Sequence, residues 1–205
     1  MGFMTSQSGA TRPEPRAADI AAPSTTPLTL IYIAGMPRSG STLLDRVLGA
    51  TPDVHATGEL VHLWQRGLID NETCGCGVPF SECPFWSAVG ETAFGGWATL
   101  DPAVVSRLHR SVERDRYLPL LIAPQLRRAY QKRLTEYATI VGRVYAGIAA
   151  TAGVNVLVDS SKHVSTALLL RHVPGIDLRV VHLVRDPRGV AYSWTKHVRQ
   201  PERDD

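Results

Sequence analysis

Residues Gly35-Met36-Pro37-Arg38-Ser39-Gly40-Ser41-Thr42 place two glycines five positions apart, an arginine between them and two hydroxyls after them. Between a strand and a helix, the backbone N–H groups of such a stretch converge. The helix dipole adds partial positive charge, and the loop cradles a phosphate-like anion. The plainer alternative is an ordinary turn whose Ser/Thr pair caps the helix. Downstream, Glu59 offers a carboxylate and His55 and His62 offer imidazoles, all groups able to take a proton. The competing role for Glu59 is a first-turn carboxylate that meets a helix dipole. Asp159-Ser160-Ser161-Lys162 ends in a cation, with Ser160 and Ser161 expected to cap a helix. The three thiols are Cys74, Cys76 and Cys83. Their C-x-C spacing, followed six residues later by a third Cys, lacks the C-x-x-C pattern and fourth ligand of a structural zinc site. They are expected to be buried or redox-idle, with no metal; a zinc site with His62 or an acid as fourth ligand, and a Cys74–Cys83 disulfide, unusual in the cytosol, are the lesser alternatives.

These residues need elements to position them. Leu28 to Ala34 is an unbroken apolar run, suited to a strand buried on both faces. Ser41 to Ala50 reads as a helix with Leu43, Leu44, Val47 and Leu48 on one face. A second helix is expected from Glu59 to Ile69, then a Cys/Gly/Pro loop over 71–86 and a helical middle over 101–151. Within it, Leu126, Tyr130, Leu134, Tyr137, Val141, Tyr145 and Ile148 recur at helical spacing and are expected in the core. Val154 to Val158 and Leu178 to Val184 read as further strands, each followed by a helix; Pro187 suits the first turn of the last one. The fold expected is therefore α/β: a P-loop-like parallel sheet flanked by helices, over 28–205, with a helical insert at 71–151. Residues 1–27, rich in Pro, Ser, Thr and Ala, are expected to be a disordered tail without a secretory signal. Three evident strands are few for such a sheet, and a C-terminal truncation is the expectation.

Composition narrows the class. The chain has 205 residues, a net charge of +3 and 44% hydrophobic residues, the profile of one soluble domain. No run approaches the roughly 18 apolar residues of a membrane span. A mild positive balance fits a phosphate-bearing ligand without implying nucleic acid. Residues 107–133 hold eight Lys/Arg against two acids, read as a solvated helical face, with an acidic acceptor as the sharper alternative.

The loop has the spacing of G-x-x-x-x-G-K-[ST], but Ser41 stands where a kinase or ATPase has its phosphate-binding Lys. Arg38 is the only cation within it. Pro37 to Leu44 (PRSGSTLL) instead resembles the 5′-phosphosulfate loop of sulfotransferases that use 3′-phosphoadenosine-5′-phosphosulfate (PAPS), including the tyrosylprotein branch and bacterial members. In that family an Arg and a Ser eight residues apart, after a later strand, bind the 3′-phosphate; Arg185 and Ser193 have this spacing. An Arg leaving a strand end is a fixed fork donor, and a Ser two turns into the helix adds a hydroxyl. The resemblance spans roughly 28–70 and 154–197.

The resemblance implies a PAPS-dependent sulfotransferase. Glu59 matches the catalytic Glu of the tyrosylprotein branch, counted without a gap from Pro52-Asp53-Val54, and is the expected base ahead of His55 and His62. Lys162 sits near that branch's catalytic Lys and, with Arg38, is expected to stabilise the leaving group. Arg38, Ser39, Gly40, Ser41, Thr42, Leu43, Arg185 and Ser193 are the expected PAPS contacts, with Ser161 a further candidate and no metal required. The expected reaction moves a sulfuryl group to a hydroxyl of a small-molecule, glycan or lipid acceptor in the cytoplasm, releasing 3′-phosphoadenosine-5′-phosphate (PAP). Two alternatives stand: a P-loop-type nucleotide or small-molecule kinase, and a truncated, non-catalytic PAP-binding protein.

Overall fold

The apolar run at Leu28 forms β1 (Leu28–Gly35), the strand on which the sheet is built. In the computed structural model, which describes residues 27–196, β1 is hydrogen-bonded on both sides. The proposed tail, Pro27 apart, lies outside the described residues. β3 (Val156–Lys162) pairs with one edge of β1 and β4 (Ile176–Leu183) with the other. A three-residue β2 (Val54–Ala56) adds beyond β3, giving the order β2-β3-β1-β4 with every pair parallel. Leu30, Tyr32 and Ile33 in β1 are fully buried, as an apolar run in the middle of a parallel sheet requires. The α/β class with a parallel sheet is thus the observed one.

Several elements differ from expectation for physical reasons. β2 is too short to leave a pattern in sequence. β3 starts at Val156 and runs on to Lys162, so Asp159, Ser160 and Ser161 are buried strand residues and not helix caps. Their polar groups are satisfied locally: Ser160 N donates to Gly58 O at 2.8 Å, and Ser161 N donates to Asp159 Oδ1 at 2.7 Å. The helix that follows, α6 (Val164–Leu170), begins after His163, which makes no side-chain cap. The expected helix at 59–69 is instead a 3₁₀ turn (Leu60–His62) running into a π-helical segment (Leu63–Ile69). The Val61 amide, a first-turn donor without an intrahelical partner, donates to Ser161 Oγ at 3.0 Å.

Helix α1 (Ser41–Gly49) also turns differently. Leu43 and Val47 are exposed, while Ser41 and Asp45 are buried. Its inward side meets the polar end of β3, where Ser160 and Lys162 act on Asp45, so polar residues take the inner positions. The insert between β2 and β3 holds α2 (Pro84–Phe94), α3 (Pro102–Val112), α4 (Leu118–Ile122) and α5 (Arg128–Ala152). α2 begins inside the expected 71–86 loop and runs eight residues beyond it, within the expected helical insert. Tyr130, Leu134, Tyr137, Val141, Tyr145 and Ile148 of α5 are buried as expected, but Leu126 precedes the helix and is exposed. After β4 comes α7 (Pro187–Trp194), started by Pro187 and capped by Asp186, which accepts from Arg188 N at 2.9 Å. Among the described residues β4 pairs only with β1, and Val180 and Val181 in it are exposed. Among the described residues no helix is long and apolar enough to cross a membrane.

Candidate functional site

The C-terminal ends of β1, β3 and β4 open on one cleft of about 1290 Å³, the edge where open parallel sheets place ligands. At the end of β1 the chain turns sharply. A Cβ on Gly35 would lie 2.4 Å from the Leu183 carbonyl oxygen, so only glycine lets β1 run this close to β4. Arg38 and Gly40 have positive φ, 70° and 98°, which bends the loop back onto the start of α1. Gly40 is the N-cap and offers no side chain to the first-turn amides, leaving that helix end available to an anion. Gly40, Ser41, Thr42 and Leu43 line the cleft beside Arg38, whereas Ser39 is buried behind the loop and does not line it.

At the end of β3 the sheet carries a bulge. Tyr32 pairs with Asp159 and Ala34 with Lys162, so Ser160 and Ser161 together oppose the single residue Ile33. Lys162 then takes a φ of 71°, unusual for a side chain with a Cβ, and its ammonium pairs with Glu59. Non-glycine residues in this conformation persist where the surroundings over-determine them. Here the surroundings are a buried relay. Tyr145 donates to Asp159 Oδ2, Ser161 Oγ donates to Asp159 Oδ1, and Ser161 Oγ accepts from Val61 N. The relay ties α5, β3 and the segment just after Glu59 into one unit.

Glu59 is 40% exposed, and His62 Nε2 stands 3.5 Å from its Oε2. Burial raises the Glu59 carboxyl, but hydrogen bonds from His62 and Lys162 outweigh it and hold the carboxyl at about 2. Burial alone lowers His55, whose ring stacks on Phe85 at 4.9 Å, away from the cleft.

The end of β4 supplies the third group. Arg185 Nη1 donates to the Arg38 carbonyl oxygen at 3.0 Å, and Arg38 Nη2 donates to the Ser193 carbonyl oxygen at 3.2 Å. Residues about 150 positions apart in sequence are thereby stitched together across β1 and β4. Arg38 Nε is buried without a hydrogen-bond partner, a cationic donor suited to an incoming anion.

A second cleft of about 660 Å³ adjoins the first, and Thr42, Glu59 and His62 line both. Its walls include Phe80, Phe85, Trp86, Arg46 and the Arg66–Glu72 ion pair. Asp45 also lines it, 8% exposed, with Oδ1 lacking any hydrogen-bond partner. Burial pushes the Asp45 carboxyl up, against a hydrogen bond from Ser160 and the Lys162 charge. Sequence reasoning missed Asp45. Its only signal was a carboxylate four residues after Ser41 on the same helix face, which reads equally well as solvated.

The first cleft thus gathers a phosphate-type loop without a P-loop lysine, two arginines from separate strands, and a carboxylate–ammonium pair between two cavities. No curated protein and no solved structure matches the chain. The family model described as Sulfotransferase family matches residues 31–204, from β1 past the end of α7, and the chain belongs to that family.

Proposed function

We propose that the chain transfers a sulfuryl group from PAPS to a hydroxyl of a small-molecule, glycan or lipid acceptor. The observation that carries this reading is the Glu59–Lys162 pair, held where the two clefts meet. The first cleft takes the donor. The α1 amides with Ser41 and Thr42 hold the 5′-phosphosulfate, and Arg185 with Ser193 holds the 3′-phosphate. The unpartnered Arg38 Nε supports an anion at this place. The second cleft takes the acceptor, its aromatic walls packing the scaffold and Asp45 accepting a hydrogen bond from a polar group.

In the chemical step the acceptor oxygen attacks sulfur, the new O–S bond forms, and the bond from sulfur to the bridging phosphate oxygen breaks. Glu59 takes the hydroxyl proton, and Arg38 and Lys162 meet the charge that grows on the departing PAP. A carboxyl at about 2 is a feeble base. It gains strength when Lys162 turns from Glu59 to the leaving oxygen, because burial then acts on Glu59 with one cation fewer. One side chain thereby serves the leaving group and releases the base.

Calorimetry of PAP against ATP plus magnesium, on this chain and on Arg185→Ala, tests the donor. Micromolar PAP binding that collapses in the variant supports the reading. A preference for magnesium ATP overturns it in favour of a kinase.

A further inference from the structure

Three thiols remain outside the chemistry described so far. Cys74 and Cys76 lie in a tight loop: Cys74 N donates to Val78 O at 2.7 Å, and Gly77 N donates back to Cys74 O at 2.8 Å. Thr73 and Pro79 close its base as an antiparallel bridge. Cys83 is 2% exposed and stands immediately before α2, with Pro84 as the first helical residue. The fold brings the three sulfurs within 4.8 Å of one another, and all three cysteines are free thiols.

The distances decide between two chemistries. Sulfurs held tetrahedrally at about 2.3 Å from zinc lie about 3.8 Å apart. The Cys76–Cys83 separation of 3.5 Å and the 4.8 Å limit bracket that value. A disulfide needs a bond of about 2.05 Å, uses two sulfurs and gives the third no role. Three converging thiols are a soft donor set, matched to zinc and similar thiophilic metals. The C-x-C spacing argued against zinc only while the loop's path was unknown. The 73–79 bridge folds the loop so that Cys83 returns to the pair.

We propose that Cys74, Cys76 and Cys83 bind one Zn²⁺ through three thiolates, with the fourth position open. No His, Asp or Glu joins the cluster among the described residues, and all three cysteines line the 660 Å³ cleft. The fourth ligand is therefore water or another small donor from that cleft. Each bound thiol releases its proton and no oxidant is consumed. The metal clamps the loop over 73–83 to the start of α2 and so fixes Phe80, Phe85 and Trp86 on the cleft wall. The site is independent of which donor the first cleft takes.

The test uses the full chain, purified under reducing conditions and loaded with Zn²⁺ or Co²⁺. The expected result is about one metal per chain and, with cobalt, the intense near-ultraviolet thiolate charge-transfer band of a sulfur-rich site. Metal should protect Cys74 and Cys76, the two thiols within reach of solvent, from alkylation in the wild-type chain, and a chelator should restore their reactivity. Cys74→Ser with Cys76→Ser should abolish stoichiometric binding. The alkylation experiment needs no variant, so a misfolded double mutant leaves the test intact. Alkylation of Cys74 and Cys76 at the metal-free rate in the presence of excess zinc would overturn the proposal. So would a disulfide among these residues in the purified chain, found by mass spectrometry, that persists after zinc loading.

Discussion

The two adjoining clefts are built in opposite ways. The larger one draws its groups from three strand ends: Arg38 after β1, Lys162 at the end of β3, Arg185 after β4. Each is fixed by backbone that the sheet dictates, including the bulge before Lys162 and the glycine-only approach of β1 to β4. The smaller cleft draws its thiols and most of its aromatic wall from one stretch, residues 72–86, resting on β2 and α1. That stretch has almost no regular structure before α2. The sheet edge thus provides a rigid charged site, and the loop provides a wall built from one short stretch. Function placed on loops over a rigid scaffold is the common arrangement.

Sharp asymmetry in mutant effects should follow. Glu59→Gln and Lys162→Ala should each lower turnover by roughly 10²- to 10⁴-fold, the usual worth of a positioned acid or base. PAP release in the presence of a panel of phenols, sugars and sterols would be the readout. PAP affinity of Glu59→Gln should stay within a few-fold of wild type, because Glu59 repels the donor if it affects it at all. Equal turnover in wild type and Glu59→Gln would remove Glu59 as the base and turn attention to His62, which sits 3.5 Å from it.

Arg185→Ala should weaken PAP by roughly 10- to 100-fold, as the loss of a charge-assisted hydrogen bond implies. Ser193→Ala should cost only a few-fold, since a neutral hydroxyl contributes about 1 kcal/mol. Phe85→Ala is the counterpart in the smaller cleft. It should raise the acceptor KM roughly three- to tenfold, the scale of one aromatic contact, and leave PAP binding unchanged. A variant that damaged both substrates equally would mean that the clefts act as one site.

The same division separates what sequence reveals from what it hides. The phosphate-type loop was legible because β1 is a continuous apolar run and the loop's residue types sit at fixed offsets from its end. Arg185 was legible for the same reason at the end of β4. The end of β3 was not. Asp159-Ser160-Ser161 looks like a cap because nothing local shows that Tyr145, 14 residues earlier, will satisfy the carboxylate inside the protein. The inner face of α1 was misread because Asp45 is stabilised by β3, more than 100 residues away. The convergence of the cysteines was hidden because it depends on a backbone bridge between Thr73 and Pro79 that no spacing rule encodes. Patterns along the chain disclose elements; polar partners brought from afar do not appear in them.

The last comparison lies in stability against pH, and it sets the buried Asp159 of β3 against the half-exposed Glu59 that pairs with Lys162. Burial raises the Asp159 carboxyl from 3.8 to about 6, overcoming the hydrogen bonds from Ser161 and Tyr145. Between those two values the folded chain holds a proton that the unfolded chain has released. Stability from this group is therefore full below 3.8 and is lost as pH rises through about 6, at no more than about 1.4 kcal/mol per pH unit. Glu59 has the opposite sign. Held at about 2 against an ordinary 4.5, it contributes fully above 4.5, and that contribution is lost as pH falls through about 2. Asp159→Asn should flatten the fall between pH 3.8 and about 6, while its side-chain oxygen still accepts from Ser161. Glu59→Gln should flatten only the acid limb below 4.5. Urea unfolding of the three chains from pH 3 to 7 separates the two slopes. If Asp159→Asn keeps the wild-type slope above pH 4, the relay through Tyr145, Asp159 and Ser161 does not hold a raised carboxyl, and the rigidity of the Lys162 corner must come from the bulge alone.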